Sequence, residues 1–530
     1  MQTNTIESAT TPIPDQLADL TRPKAVKFLQ RATFGGTPAE VDRLLEIGID
    51  QWFEEQFRAS TSTTMLQRFQ DTETVWNAYW AGALGDSDQL RKRYTYAMSQ
   101  IFVSSRASSV HRVAHYNDLL EEHCFGDFRT LLEVISRSPS MSRYLTFHRN
   151  KKADGNRGSV PDENYAREIM QLFTIGLHEL RQTGLVKTGS NGLPIPTYTN
   201  EDIEGLARVF TGFKDEDFGP NDRTADLLPL NSDFARAFHE TGVKQFLGTT
   251  IPANTNLADS FAIAMDTLTN HSNTGPFVCK QLIQRLTTSN PKRGYVARVA
   301  RVFEDDGTGR RGNMAAVLRA ILLDQSVWRR EKEEFGKIRE PVLRFTIAAR
   351  AFNIRSTSGS RWRIADLTDD RTALGQQPWF APSVFNFYRP GYVPPRTEFG
   401  RAEPGESPLV APEMQIVNET STIGWVNFMA DFLTRQPNVS LDFDDLIEIV
   451  RDTENLTEDQ IDDLIDELES RLCPPGLSNE TRSLMTQALQ GSAPSNYRSG
   501  NNGVRQQTDM QRVAGAALLV LASTDFIWER

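Results

Sequence analysis

A chain of 530 residues with 39% hydrophobic and 24% charged residues has the make-up of a folded globular protein, about three ordinary domains long. Its net charge of −11 argues against a phosphate-backbone binder, so no nucleic-acid partner is expected, and the longest apolar run, 513–522, is far too short to span a bilayer. Three scattered cysteines, Cys124, Cys279 and Cys473, supply neither a disulfide framework nor a CxxC metal pair.

Residues 1–21 are polar and proline-bearing and read as a flexible arm. The first seven carry neither a basic leader nor an apolar segment, so no signal peptide is expected in this sequence. The cytoplasm is the default location unless a leader preceded this numbering. Order is expected from Thr21, which can cap a helix with Ala25, Val26, Phe28 and Leu29 on its apolar face. Thr37, Pro38 and Glu40 then form a capping box ahead of Val41, Leu44, Leu45 and Ile47, and Gly48 interrupts that stripe before Trp52 and Phe53. Helical spacing continues through 90–103, 116–123 and 128–135, the last capped by Asp127.

Residues 149–161 have loop composition and suit a mobile rim. They lead into the most informative stretch, 162–177. At 100° per residue, Tyr165, Ala166, Ile169, Met170, Leu172 and Phe173 share one side of a helix, and Glu163, Asn164, Arg167, Glu168, Gln171 and Thr174 share the other. Asp162 can cap it and Gly176 can release it. Asn164, Arg167, Glu168 and Gln171 stand three or four apart, so a carboxylate, a guanidinium and two amides meet on adjacent turns. A solvated face with ordinary i,i+4 pairs is the bland alternative.

Beyond it, 182–200 is expected to hold a short hairpin, and Thr199 or Asn200 to cap a helix with Ile203, Leu206, Val209 and Phe210. Residues 213–238 read as one long loop, a feature that often carries function. Three or four helices follow in 257–323, with Asn290 as a cap, and a long helix over 337–352. Residues 355–412 accumulate Gly, Ser, Pro and unpatterned aromatics, which must wrap onto the helical body. The remainder, 413–530, resumes helix, with a capping box at Thr457, a polar loop at 491–507 and a buried last helix at 513–521. Strand-like alternation is almost absent. The expected fold is therefore mainly α: a large multi-helix array with long irregular loops and at most a small β-hairpin. Its expected parts are an arm (1–21), a helical core (22–354), an aromatic-rich irregular segment (355–412) and a C-terminal helical subdomain (413–530).

No HExxH, GxSxG, GxxxxGK[ST] or dinucleotide fingerprint occurs, and the turn Asp305-Asp306-Gly307-Thr308-Gly309 lacks EF-hand spacing. His111 and His115 are four apart, but two ligands are too few for a metal, so no residue is assigned to one. His239 with Glu240 is the better candidate, because a neighbouring carboxylate can orient an imidazole for proton transfer near neutral pH. Lys244 lies close by in sequence. A packed, inert histidine is the alternative there.

The blocks 125–132, 162–177, 207–213, 244–248, 288–291, 336–341 and 381–388 occur together and in order. Over roughly residues 22–530 the chain thereby resembles the large bacterial family called domain of unknown function 1800. The resemblance implies a role in processing or organising extracellular polymers, since many relatives are exported and are encoded beside a sulfatase-like family. Three departures limit the transfer. An export leader is missing here, Phe173 stands where relatives often carry histidine before Thr-Leu-Gly, and Phe238-His239-Glu240 stands where many show His-His-Asp. A histidine-based metal centre in relatives would be depleted in this chain.

The expected function is hydrolase-like or polymer-modifying, in a polar cleft around the central helix. Glu168 would be the carboxylate, as base or ligand, His239 the proton shuttle and Glu240 its partner. Arg167 would bind an anionic group, Asn164 and Gln171 would orient it, and Lys244 would add a substrate contact. The alternative is a non-catalytic scaffold or partner subunit for the sulfatase-like protein. Nothing in the sequence names a cofactor.

Overall fold

The computed structural model describes residues 11–529 apart from 61–62, 72–73, 106–108, 157, 216–226, 330–334, 360–361, 365, 402–407, 436–437, 452 and 493–501. The fold is mainly helical, and local chemistry sets many of its boundaries. Thr37 accepts the Glu40 amide while Glu40 accepts the Thr37 amide, which fixes the start of the helix Pro38–Arg58. Gly48, at φ 74°, breaks helical geometry midway and lets the second half turn Trp52 and Phe53 onto Phe28. The same reciprocal boxes open Asn200–Val209 at Thr199 and Glu458–Leu472 at Thr457.

The strands are short and antiparallel. β1 (Lys244–Phe246) pairs β2 (Thr249–Ile251) as a local hairpin, packed so tightly on Asn200–Val209 that Gly205 has room for no Cβ. β3 (Lys337–Ile338), β4 (Arg355–Ser356), β5 (Val439–Ser440) and β6 (Trp528–Glu529) are two-residue stitches, β3 to β6 and β4 to β5. They join positions far apart in the chain, so no local sequence pattern announces them. In the expected hairpin region the structure has a small meander, with single bridges His178–Pro196, Leu180–Val186 and Thr188–Pro194.

Four expected boundaries move. The helix expected over 337–352 begins at Pro341, because Lys337 and Ile338 are taken by β3 and proline belongs in a first turn. Asn290 is not a cap. Its side-chain amide exchanges two 2.8 Å hydrogen bonds with the Val410 backbone, and Lys292 precedes the helix instead. Part of the loop expected at 213–238 is the short helix Asp233–Phe238, capped by Ser232. The polar stretch before residue 508 is helical from Asn502, and the remainder of that expected loop falls largely outside the described residues.

One hydrophobic cluster extends from Leu17 to Phe526. The aromatic segment joins it as expected: Trp379 packs edge-on to Tyr116, and Phe380 lies on Trp76. Among the described residues, no helix is long and apolar enough to cross a membrane.

Candidate functional site

The central segment is a five-residue α-helix, Asn164–Glu168, that widens into a π-helix, Ile169–Thr174. Asp162 starts it, its Oδ1 accepting the Asn164 amide at 2.8 Å. The i→i+5 bonding of a π-helix adds a residue per turn, so 100° spacing stops assigning faces correctly after Glu168. Thr174, assigned to the polar side by that spacing, is fully buried with its hydroxyl donating to the Ile169 carbonyl. Tyr165, Ala166, Ile169, Met170 and Phe173 are buried as expected, Tyr165 stacking on Phe147 and meeting Phe210 edge-on.

Glu168 is only 8% exposed, and its Oε2 has no hydrogen-bond partner among the described residues. Burial raises its pKa, against the opposing pull of Arg167. Tyr144 lies close by, its phenol pushed up to about 12 by burial and by the Glu168 charge. Arg167 is half-exposed and pairs with Glu163 at 3.3 Å. Gln171 accepts a long 3.4 Å bond from the Tyr198 hydroxyl, and the Asn164 amide donates to Thr146 Oγ1 at 3.3 Å.

His239 stands in different surroundings. It is 3% exposed, Nδ1 meets the Thr211 carbonyl at 2.9 Å, and Nε2 meets Ser260 Oγ at 3.3 Å. Burial lowers its pKa to about 4. Glu240 turns back on its own chain, with Oε1 accepting the Gly242 amide. Lys244 is fully buried in β1, its pKa lowered by burial despite nearby Glu240, and its Nζ has no hydrogen bond among the described residues. The structure therefore groups Glu168 with Arg167, Tyr144 and Tyr198, and His239 with Thr211, Ser260, Glu240 and Lys244. The two groups share no residue, so the expected meeting of Glu168 with His239 is not among their contacts.

What the central helix does adjoin is a cavity of about 450 Å³ lined by Ser142, Arg143, Thr146, His148 and Arg149. Asn164 reaches its wall through Thr146, and Asp162 accepts the Thr146 hydroxyl at 2.8 Å. His148 Nε2 lies 2.5 Å from Asp215 Oδ1, while Arg143 donates to Asp215 Oδ2 at 2.5 Å and Arg112 approaches that same oxygen at 3.9 Å. Asp215 itself is buried. Burial, helped by Arg143, Arg149 and Arg112 and opposed by Asp215, drives the His148 pKa down to about 4. The ring is thus neutral at pH 7, and a carboxylate facing Nε2 requires the proton on that nitrogen. Nδ1 keeps its lone pair, and among the described residues nothing hydrogen-bonds it.

Backbone strain converges on this wall. Thr146 and Arg149 have φ of 65° and 63°, a region costing non-glycine residues roughly 1–3 kcal/mol and favoured at ligand sites. Thr146 is held there by Asp162, and Arg149 by a 2.7 Å bond from its amide to the Phe213 carbonyl. Sequence reasoning reached the rim at 149–161 and the loop that carries Asp215, but did not single out Arg112, Arg143, His148, Arg149 or Asp215. The available signal was a histidine beside an arginine at the head of a basic loop. Its carboxylate partner is 67 residues away.

No group of three or more His, Cys, Asp or Glu side chains among the described residues is arranged to hold a metal ion. A family model described as a protein of unknown function (DUF1800) matches residues 27–528. No curated protein and no solved structure matches the chain.

Proposed function

We propose, from the premise that this chain belongs to the DUF1800 family, that it is a hydrolase-like protein working in the cavity beside its central helix. One observation carries this reading: a neutral imidazole on a cavity wall, oriented through Nε2 by a buried carboxylate and presenting Nδ1 as a base. His148 would take a proton from water as the water oxygen attacks, and Asp215 would stabilise the resulting imidazolium. Glu168, buried on the adjoining central helix with its Oε2 unpartnered among the described residues, is the second carboxyl group to be tested. A polymer substrate is what the family resemblance suggests.

The test is turnover of a panel of polymer fragments by the full chain and by His148→Gln, Asp215→Asn and Glu168→Gln. General-base catalysis is worth about 10²–10⁴-fold. His148→Gln is expected to lose activity on that scale, with the melting temperature nearly unchanged. Turnover that survives His148→Gln sinks the reading.

A second reading, docking to a partner subunit such as a sulfatase-like protein, is supported by exposed Leu177, Val186 and Leu193 in and beside the 178–196 meander. The aromatic segment does not support it, because Trp379 and Tyr388 are buried. Copurification of a partner that Leu193→Asp abolishes would favour docking over catalysis.

A further inference from the structure

Away from the proposed site, the helices Met65–Asp71, Val75–Gly85, Gln89–Ser99 and Val110–His123 meet around a small cavity of about 10 Å³. One water molecule needs about 10–15 Å³, so the space is of single-water size. Its wall is polar although it lies within the hydrophobic cluster. Tyr79, Lys92, Asn117 and Glu121 all line it, and each is more than nine-tenths buried. Lys92 Nζ donates to Glu121 Oε2 at 2.7 Å and lies 3.3 Å from Asp86 Oδ2, while Glu121 Oε1 accepts from Asn117 Nδ2 at 2.9 Å.

Two atoms of this wall are left over. Asn117 Oδ1 and the Tyr79 hydroxyl are both buried, and neither has a hydrogen-bond partner among the described residues. An interior seldom leaves an amide oxygen and a phenol unbonded side by side, because each then carries its full desolvation penalty. The rest of the wall selects what can bind them. A cation would meet the Lys92 ammonium, and an anion would meet the Glu121 and Asp86 carboxylates. An apolar guest would leave both atoms unbonded. Water can donate to Asn117 Oδ1 and exchange a bond with Tyr79, and a polar wall of this kind is what distinguishes a hydrated cavity from a dry one. Gly82 provides the room. A Cβ on it would lie 3.5 Å from Asp86 Oδ2 and from Lys92 Cε, so alanine fits at ordinary contact distance but takes up the space.

We propose that this cavity is the binding site of one internal water molecule, held by Tyr79 and Asn117 beside the Lys92–Glu121 ion pair. The water joins Val75–Gly85, which carries Tyr79, to Val110–His123, which carries Asn117 and Glu121. Gln89–Ser99 is tied in through Lys92. The buried charges therefore belong to a hydrogen-bonded network that is complete only with its solvent molecule.

The experiment is high-resolution crystallography of the full chain, paired with urea unfolding of two variants. The wild-type chain is expected to show one density peak within about 3.2 Å of both Tyr79 Oη and Asn117 Oδ1, and Gly82→Ala to lack it. A wild-type cavity without that peak overturns the proposal. In urea, Tyr79→Phe is expected to shift the unfolding equilibrium about threefold or more toward the unfolded chain, since a bond to water is lost. Were the hydroxyl unbonded, phenylalanine would remove a buried penalty instead, so a Tyr79→Phe chain at least as stable as wild type overturns the proposal. Gly82→Ala tests the space without touching a polar group. In a dry cavity the methyl would fill a void and improve helix propensity, raising stability. A fall in stability is expected, and a rise overturns the proposal. If Tyr79→Phe fails to fold, the wild-type density and the sign of Gly82→Ala still decide.

Discussion

At the scale of single residues, the two buried imidazoles set how the protein responds to acid. His239 bonds through both ring nitrogens and has its pKa lowered from 6.5 to about 4 by burial, and His148 shifts the same way. Between those values the unfolded chain binds more protons than the folded one, so stability falls as pH drops. The contribution is fully present above 6.5 and is lost on the way down to about 4. Glu168 has the opposite sign, because a raised carboxyl pKa makes the folded chain the better proton acceptor as pH falls. Integrated between the two pKa values, lowering the pH from 7.5 to 5 costs about 2 kcal/mol through His239. Urea unfolding at pH 7.5 and pH 5 checks this. His239→Gln is expected to be less stable than wild type at pH 7.5 but to lose about 2 kcal/mol less on acidification. A variant that loses as much as wild type would show that this imidazole is not held neutral by the fold.

At the scale of elements, the central segment shows what local sequence can and cannot specify. Asp162 as its start, Gly176 as its end and the capping boxes at Thr37 and Thr457 are all legible, because each depends on residues within a few positions of one another. The widening to a π-helix, which buries Phe173 and Thr174 alike, is not, since 100° spacing places those two residues on opposite faces. The candidate site divides in the same way. Glu168 and Asn164 could be picked out from helical spacing, whereas the His148–Asp215 pair is made by two loops brought together by the Arg149–Phe213 backbone bond. The burial of His239 also depends on a partner from another helix, Ser260. Gly176 offers a direct test of how firmly the segment is held. At φ 73°, with a Cβ placed 2.6 Å from the Phe277 ring, alanine there strains the backbone and displaces a packed aromatic. Gly176→Ala is expected to cost at least about 2 kcal/mol in urea unfolding. A loss under about 0.5 kcal/mol would mean that the helix end relaxes freely.

At the scale of the whole molecule, the question is what keeps a long segment with almost no secondary structure on a helical body. Trp379 and Tyr388 supply apolar area, but the fixing point is Glu340, which is fully buried at the head of the helix Pro341–Ala351. Its Oε2 accepts from Tyr96 at 3.2 Å and Gln100 at 2.6 Å on the body, and from Gln376 at 2.6 Å and Tyr388 at 2.9 Å on the segment. Lys337, Arg285 and Arg93 surround it and hold its pKa below the ordinary value despite burial, so the group is ionised. Lys337 keeps its 3.0 Å pair with Glu413, but removing the Glu340 charge leaves buried Arg285 and Arg93 undercompensated, and uncompensated buried charge of this kind typically costs about 3–5 kcal/mol. Glu340→Gln preserves shape and tests the charge alone. It is expected to lower global stability on that scale. It should also raise amide hydrogen exchange in 367–388 before the helical core opens, because a neutral amide oxygen accepts more weakly than a carboxylate from the donors on both sides of the junction. Exchange that rises uniformly along the chain, with no early release of 367–388, would mean that aromatic burial alone holds the segment and that Glu340 serves only the core.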